Sequence, residues 1–165
     1  MADHHNLPEY NPNATVLSIG DWNSLDSTVT EIIVGGGVSQ PGLTELDMTR
    51  FSQLKQLEIG SFCFGFVSSL KLIGLSELES VVVGMNSFVE DKNSYGGLSE
   101  GSFYLKDCPK LRSLKIGRYS FNGYTVIEIE NVDALETIEM GDVNQWSYAF
   151  SHASLELKSI LIHSE

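Results

Sequence analysis

An eleven-residue phrase is written three times in this chain: "LKQLEIGSFCF" from Leu54, "LESVVVGMNSF" from Leu78 and "LRSLKIGRYSF" from Leu111. So short a unit cannot enclose its own apolar stripe, so neighbouring units have to stack and share one continuous core. At the centre of the phrase lies apolar, any residue, apolar, Gly. It recurs as "LSIG" at Leu17, "IIVG" at Ile32, "LEIG" at Leu57, "VVVG" at Val81, "LKIG" at Leu114 and "IEMG" at Ile138, with a degenerate "ILIH" at Ile160. Leu57 to Val81 and Leu114 to Ile138 each span 24 positions, and Val81 to Leu114 spans 33. The period is therefore near 24, with one insertion.

Each period holds a second apolar alternation: Leu46 and Met48, Leu70 and Leu72, Phe103 and Leu105, Ile127 and Ile129. Alternation with period two marks a strand with one buried face, so each unit is expected to carry two short strands. Between them apolar residues fall on every third position (Leu72, Leu75, Leu78, Val81), a rhythm that fits neither an amphipathic helix nor a heptad. A mainly β stack of coils with little helix follows.

"LSELESVVVGMNSF", "CPKLRSLKIGRYSF" and "VDALETIEMG" resemble leucine-rich repeats, most closely the BspA-like subclass. The resemblance spans Val16 to His163. It departs from the family in placing Gly where many such repeats carry Pro after the strand, and in lacking the Asn ladder of the commoner classes. It implies a right-handed solenoid that binds other macromolecules, commonly proteins, and has no catalysis of its own. Residues 1–15 read as a flexible polar leader, 16–165 as a single solenoid domain, and 89–101 as a loop insertion.

In such a stack, core slots repeat because packing demands it, and functional information resides in the slots that vary. The middle, outward position of the first strand reads Ser18, Ile33, Glu58, Val82, Lys115, Glu139, Leu161. Outward apolar residues mixed with charge are not required by packing within one chain and suit a protein partner. Glu58, Val82, Lys115 and Glu139 are therefore the first-choice contact residues. Tyr95, in the insertion "VEDKNSYGGLSEGS", is a further one, because loops of that composition often carry recognition. Two positions before the same strand, the row Lys55, Glu79, Arg112, Glu136, Lys158 alternates in sign, which suggests a ladder of ion pairs that fixes register.

Other residues that could carry chemistry have packing explanations. Cys108 occupies the corner slot of Leu75 and Val132, and Cys63 the small-residue slot of Ser87 and Ser120, so both read as free packing thiols. The four histidines show no zinc-ligand spacing, and Gly35-Gly36-Gly37 lacks both the Lys-Ser/Thr ending and the following helix of a phosphate loop. Phe64, Phe88 and Phe121 each follow the repeat Gly by four positions and are expected to stack as an internal aromatic spine. No cofactor, metal or catalytic residue is expected.

The formal net charge of −12 repels phosphate backbones and anionic headgroups, so nucleic acid and membrane surfaces are poor partners. The N-terminus lacks a signal pattern and no disulfide framework is seen, which tilts the compartment toward the cytoplasm. A protein-binding module is the leading expectation. The alternative is a self-assembling unit, a homodimer joined through an uncapped C-terminal coil at Ile160, Leu161 and Ile162.

Overall fold

The computed structural model describes residues 13–89, 101–141, 147–150 and 153–158. Its elements are β1 (Asn13–Val16), α1 (Ile19–Asn23), β2 (Glu31–Val34), β3 (Glu45–Asp47), β4 (Gln56–Ile59), β5 (Ser69–Ile73), β6 (Ser80–Val83), β7 (Gly101–Lys106), β8 (Ser113–Ile116), β9 (Tyr124–Glu130), β10 (Thr137–Met140) and β11 (Ser154–Lys158). They form two parallel sheets, ordered β1-β2-β4-β6-β8-β10 and β3-β5-β7-β9-β11. From β2 onward successive strands alternate between the sheets, so each repeat gives one strand to each.

Register follows the apolar pattern. Ile32, Leu57, Val81, Leu114 and Ile138 are mutual neighbours across the first sheet, as are Leu46, Leu70, Phe103 and Ile127 across the second. Leu70 pairs with Phe103 although their spacing contains the insertion, so the added length is taken up before β7. Residues 90–100, with Tyr95, lie outside the described residues. The inward side chains of both sheets merge into one buried cluster.

The repeat Gly is required by backbone crowding. A Cβ on Gly84 would lie 2.5 Å from the Ser61 amide nitrogen and 2.6 Å from the Gly60 carbonyl carbon, and one on Gly117 would lie 2.5 Å from the Gly84 carbonyl carbon. Only Gly lets adjacent repeats approach that closely.

Beyond that Gly the chain turns through a corner with two left-handed residues, at Phe62 and Phe64, Asn86 and Phe88, Tyr119 and Phe121, and Tyr148 and Phe150. A left-handed L-residue costs of order 1 kcal/mol or more. Burial of Phe64, Phe88 and Phe121, each at most 1% exposed, offsets this by about 1.5 to 3 kcal/mol per ring. Between the left-handed pair, the Ser87 hydroxyl donates to the Gly60 carbonyl (2.8 Å) and accepts from the Cys63 amide (3.1 Å). Ser120 repeats both bonds one repeat on, to Gly84 and from Ser87.

Three expectations are corrected. "LSIG" is not the first strand: β1 is Asn13–Val16, with Thr15 beside Ile33, so Asn13 to Thr15 belong to the sheet rather than to a leader. Leu17 is 72% exposed. The Ser18 hydroxyl accepts from the Asp21 amide and the Asp21 carboxylate accepts from the Leu17 amide, a capping arrangement that starts α1. The carboxyl of Asp21 is held below its ordinary range chiefly by that Leu17 amide. α1 then seats Trp22 edge-on against Phe64, at the N-terminal end of the aromatic spine.

The charge row is also different. No ion pair joins Lys55, Glu79, Arg112 and Glu136 among the described residues; the backbone links them instead, Glu79 N–H to the Lys55 carbonyl and Arg112 N–H to that of Glu79. Lys158 does not continue the row, because it ends β11 in the second sheet, beside Glu130.

Candidate binding surface

The first sheet turns one row of side chains outward at the middle of its strands. Pairwise register places Thr15, Ile33, Glu58, Val82, Lys115 and Glu139 side by side along it. The four residues singled out from the sequence thus share one continuous line across β4, β6, β8 and β10. Glu58, Lys115 and Glu139 are exposed, and Ile33 and Val82 are half-buried. Lys115 and Glu139 form an ion pair at 3.5 Å, with both side chains more than 60% exposed. Such a pair contributes little to stability, so either partner can be recruited elsewhere. Around it, Gln56, Ser80, Ser113 and Thr137 make a second outward row, polar and uncharged. The surface combines two aliphatic groups, both signs of charge and short hydrogen-bonding side chains.

The second sheet carries the denser charge network, which sequence reasoning missed. Lys106 bonds the Glu128 carboxylate and lies 3.5 Å from Glu130, which in turn meets Lys158 at 3.8 Å. The bond to Glu128 raises the Lys106 pKa. The signal was present as charges at the outward positions of the second alternation. This network satisfies itself within the chain, whereas the first sheet's row is mostly unspent.

Cys63 and Cys108 are buried and unbridged. The Cys63 thiol donates to the Gly35 carbonyl at 3.0 Å, taking the part that Ser87 and Ser120 play later. Burial raises the pKa of both thiols, that of Cys108 to about 11. A thiol held protonated is a poor nucleophile. Among the described residues no three His, Cys, Asp or Glu side chains are grouped to hold a metal ion. No helix there is long and apolar enough to cross a membrane.

At the C-terminal end of the stack, Ile129, Val132, Leu135 and Ile138 line an open groove of about 490 Å³, bordered by Asp133, Glu136 and Lys158. These are the every-third-position residues that bury fully in earlier repeats as Leu72, Leu75, Leu78 and Val81. Ile160, Leu161 and Ile162 lie outside the described residues. Comparison with protein-family models, with curated proteins and with solved structures finds no match.

Proposed function

We propose that this chain is a non-enzymatic protein-binding module: a right-handed solenoid of the leucine-rich-repeat kind, BspA-like in its corner, that presents the outward face of its first sheet to a protein partner. The supporting observation is the in-register row Ile33, Glu58, Val82, Lys115, Glu139. Core packing accounts for the inward residues on either side of each of these, but it requires neither aliphatic side chains nor a weakly held ion pair on the outer face. Val82 supplies apolar contact at the centre, and Lys115 with Glu58 and Glu139 supplies charge on both sides, which favours register and on-rate. Affinity capture from the native source tests this reading: a Val82→Thr, Lys115→Gln variant, which keeps the β-branched shape and adds no like-charge pair, should lose the captured partner while keeping its melting temperature. Retention of the same partner by that variant rejects the reading.

A second reading rests on the open C-terminal groove. Three half-buried apolar side chains, Val132, Leu135 and Ile138, would be covered in an end-to-end pair of identical chains, whose two-fold symmetry closes the association. Light scattering on the protein and on a Leu135→Lys variant tests it, since only a wild-type dimer abolished by the substitution supports the pairing.

A further inference from the structure

One corner slot behaves unlike the rest of the repeat. Two positions after the repeat Gly, successive repeats place Gly37, Phe62, Asn86 and Tyr119, and the last described repeat places Tyr148 in the same relation to Phe150 as Phe62 to Phe64, seven positions after Gly141; all five have positive φ, from 42° at Tyr148 to 78° at Gly37. Gly and Asn are the residues this conformation favours. Three of the five are aromatic instead. Burial does not repay the strain here as it does for Phe64, Phe88 and Phe121, because Phe62 is 60% and Tyr148 49% exposed. Backbone strain kept at exposed aromatic residues marks a working surface.

The geometry of that surface is set by the repeat. The Phe62 amide donates to the Met85 carbonyl (2.9 Å), the Asn86 amide to Arg118 (3.0 Å) and the Tyr119 amide to Ser147 (2.8 Å), so the slots follow one another in line along the stack. Parallel neighbours step by about 4.8 Å, which puts Phe62 and Tyr119, two repeats apart, about 9.6 Å from each other. Tyr119 and Tyr148 stack at 5.6 Å and make one pad, Phe62 makes the other, and the Asn86 position lies between them along the stack.

We propose that this corner binds a proline-rich segment of a partner in the polyproline II conformation, lying along the stack axis. Such a helix has three residues per turn and rises about 3.1 Å per residue, so it presents the same face every 9.3 Å or so. That spacing matches the two pads. The rings of successive turns pack on Phe62 and on the Tyr119–Tyr148 pair. The solvated carbonyls of the residues between those two rings face the Asn86 amide, whose NH2 donates. With a net charge of −12, the protein favours a segment flanked by Lys or Arg. The site is separate from the first-sheet row, so each stands or falls alone.

The probe is a nonaproline peptide with two arginines at each end, titrated into the ¹⁵N-labelled chain and read by chemical shift. Saturable shifts at Phe62, Asn86 and Tyr119 are expected. Phe62→Gly and Tyr119→Asn should each weaken binding at least tenfold. Phe62→Gly should not lower the melting temperature, because Phe62 is 60% exposed and Gly relieves the left-handed strain, and that separates recognition from packing. Equal affinity for a peptide with Gly and Ser in place of the prolines would show charge attraction alone and overturn the proposal. So would tighter binding of a linear β-glucan hexasaccharide, unchanged affinity in both variants, or no saturable shift up to about 1 mM peptide, the millimolar limit of weak binding.

Discussion

Phe88 and Phe121 lie face to face, with ring centroids 4.6 Å apart and planes within 3°, although 33 residues separate them. Phe88 also meets Phe64 at 5.5 Å, and Phe121 meets Phe150 at 4.9 Å, so the spine runs from Trp22 to the last described repeat. Because Phe88 is fully buried at its centre, Phe88→Ala should destabilise the fold by about 3 to 5 kcal/mol, whereas Phe88→Leu should cost roughly half as much. Chemical denaturation measures both. A loss below about 1 kcal/mol for the alanine variant, typical of surface substitutions, would contradict this packing.

The repeat Gly gives a paired expectation. At Gly117 an added methyl collides with the Gly84 backbone at 2.5 Å, and backbone cannot swing aside as a side chain can. Gly117→Ala should therefore cost about 1 to 3 kcal/mol or more. Gly65 has ordinary φ and its nearest atoms at 3.5 Å. Gly65→Ala should leave stability unchanged or raise it by about 0.5 kcal/mol. Thermal melts of the two variants in parallel check the contrast.

Much of this was legible in the sequence. Leu57, Val81 and Leu114 proved register neighbours because a parallel stack forces equivalent inward residues into contact, and the letter pattern carries that constraint directly. At the N-terminus the pattern misled. "LSIG" satisfies the strand rule, yet Ser18 and Asp21 offer the backbone capping bonds that start a helix, and the strand falls three residues earlier. The expected ion-pair ladder failed for another reason. Backbone register does bring Lys55, Glu79 and Arg112 into line, but long exposed side chains choose their own rotamers, and each exposed pair gains too little to decide the choice. Tyr124 went unnoticed because it fills the slot of Val67, where no aromatic repeats; its hydroxyl donates to the Val67 carbonyl at 2.6 Å, across Gly101. The outward row of the first sheet was readable as soon as the period was known, since inward neighbours fix which residues face out.

The buried thiols carry a pH signature. Burial raises the Cys108 pKa from 9.0 to about 11, which means the folded state holds the neutral thiol. A raised pKa contributes stability in full below the unfolded value, and the contribution is lost as pH climbs from 9.0 toward 11. Cys108→Ala should lose about 1 to 2 kcal/mol at neutral pH through the small cavity it leaves, and its deficit relative to wild type should shrink across that alkaline window. Cys63→Ser should stay within about 1 kcal/mol of wild type, because a hydroxyl can make the bond to Gly35 that Ser87 and Ser120 make to their own glycines. Denaturation series at several pH values, run under reducing conditions, check both.

Covalent labelling of the isolated chain and of its complex with the captured partner, read by mass spectrometry, addresses the first-sheet surface itself. Glu58, Lys115 and Glu139 are exposed in the free chain, as are reactive groups elsewhere such as Glu45. In the complex, labelling at Glu58, Lys115 and Glu139 should fall sharply while Glu45, on the second sheet, labels as before. Unchanged labelling of the first-sheet residues together with protection of Glu45 would place the partner on the opposite face and contradict the assignment.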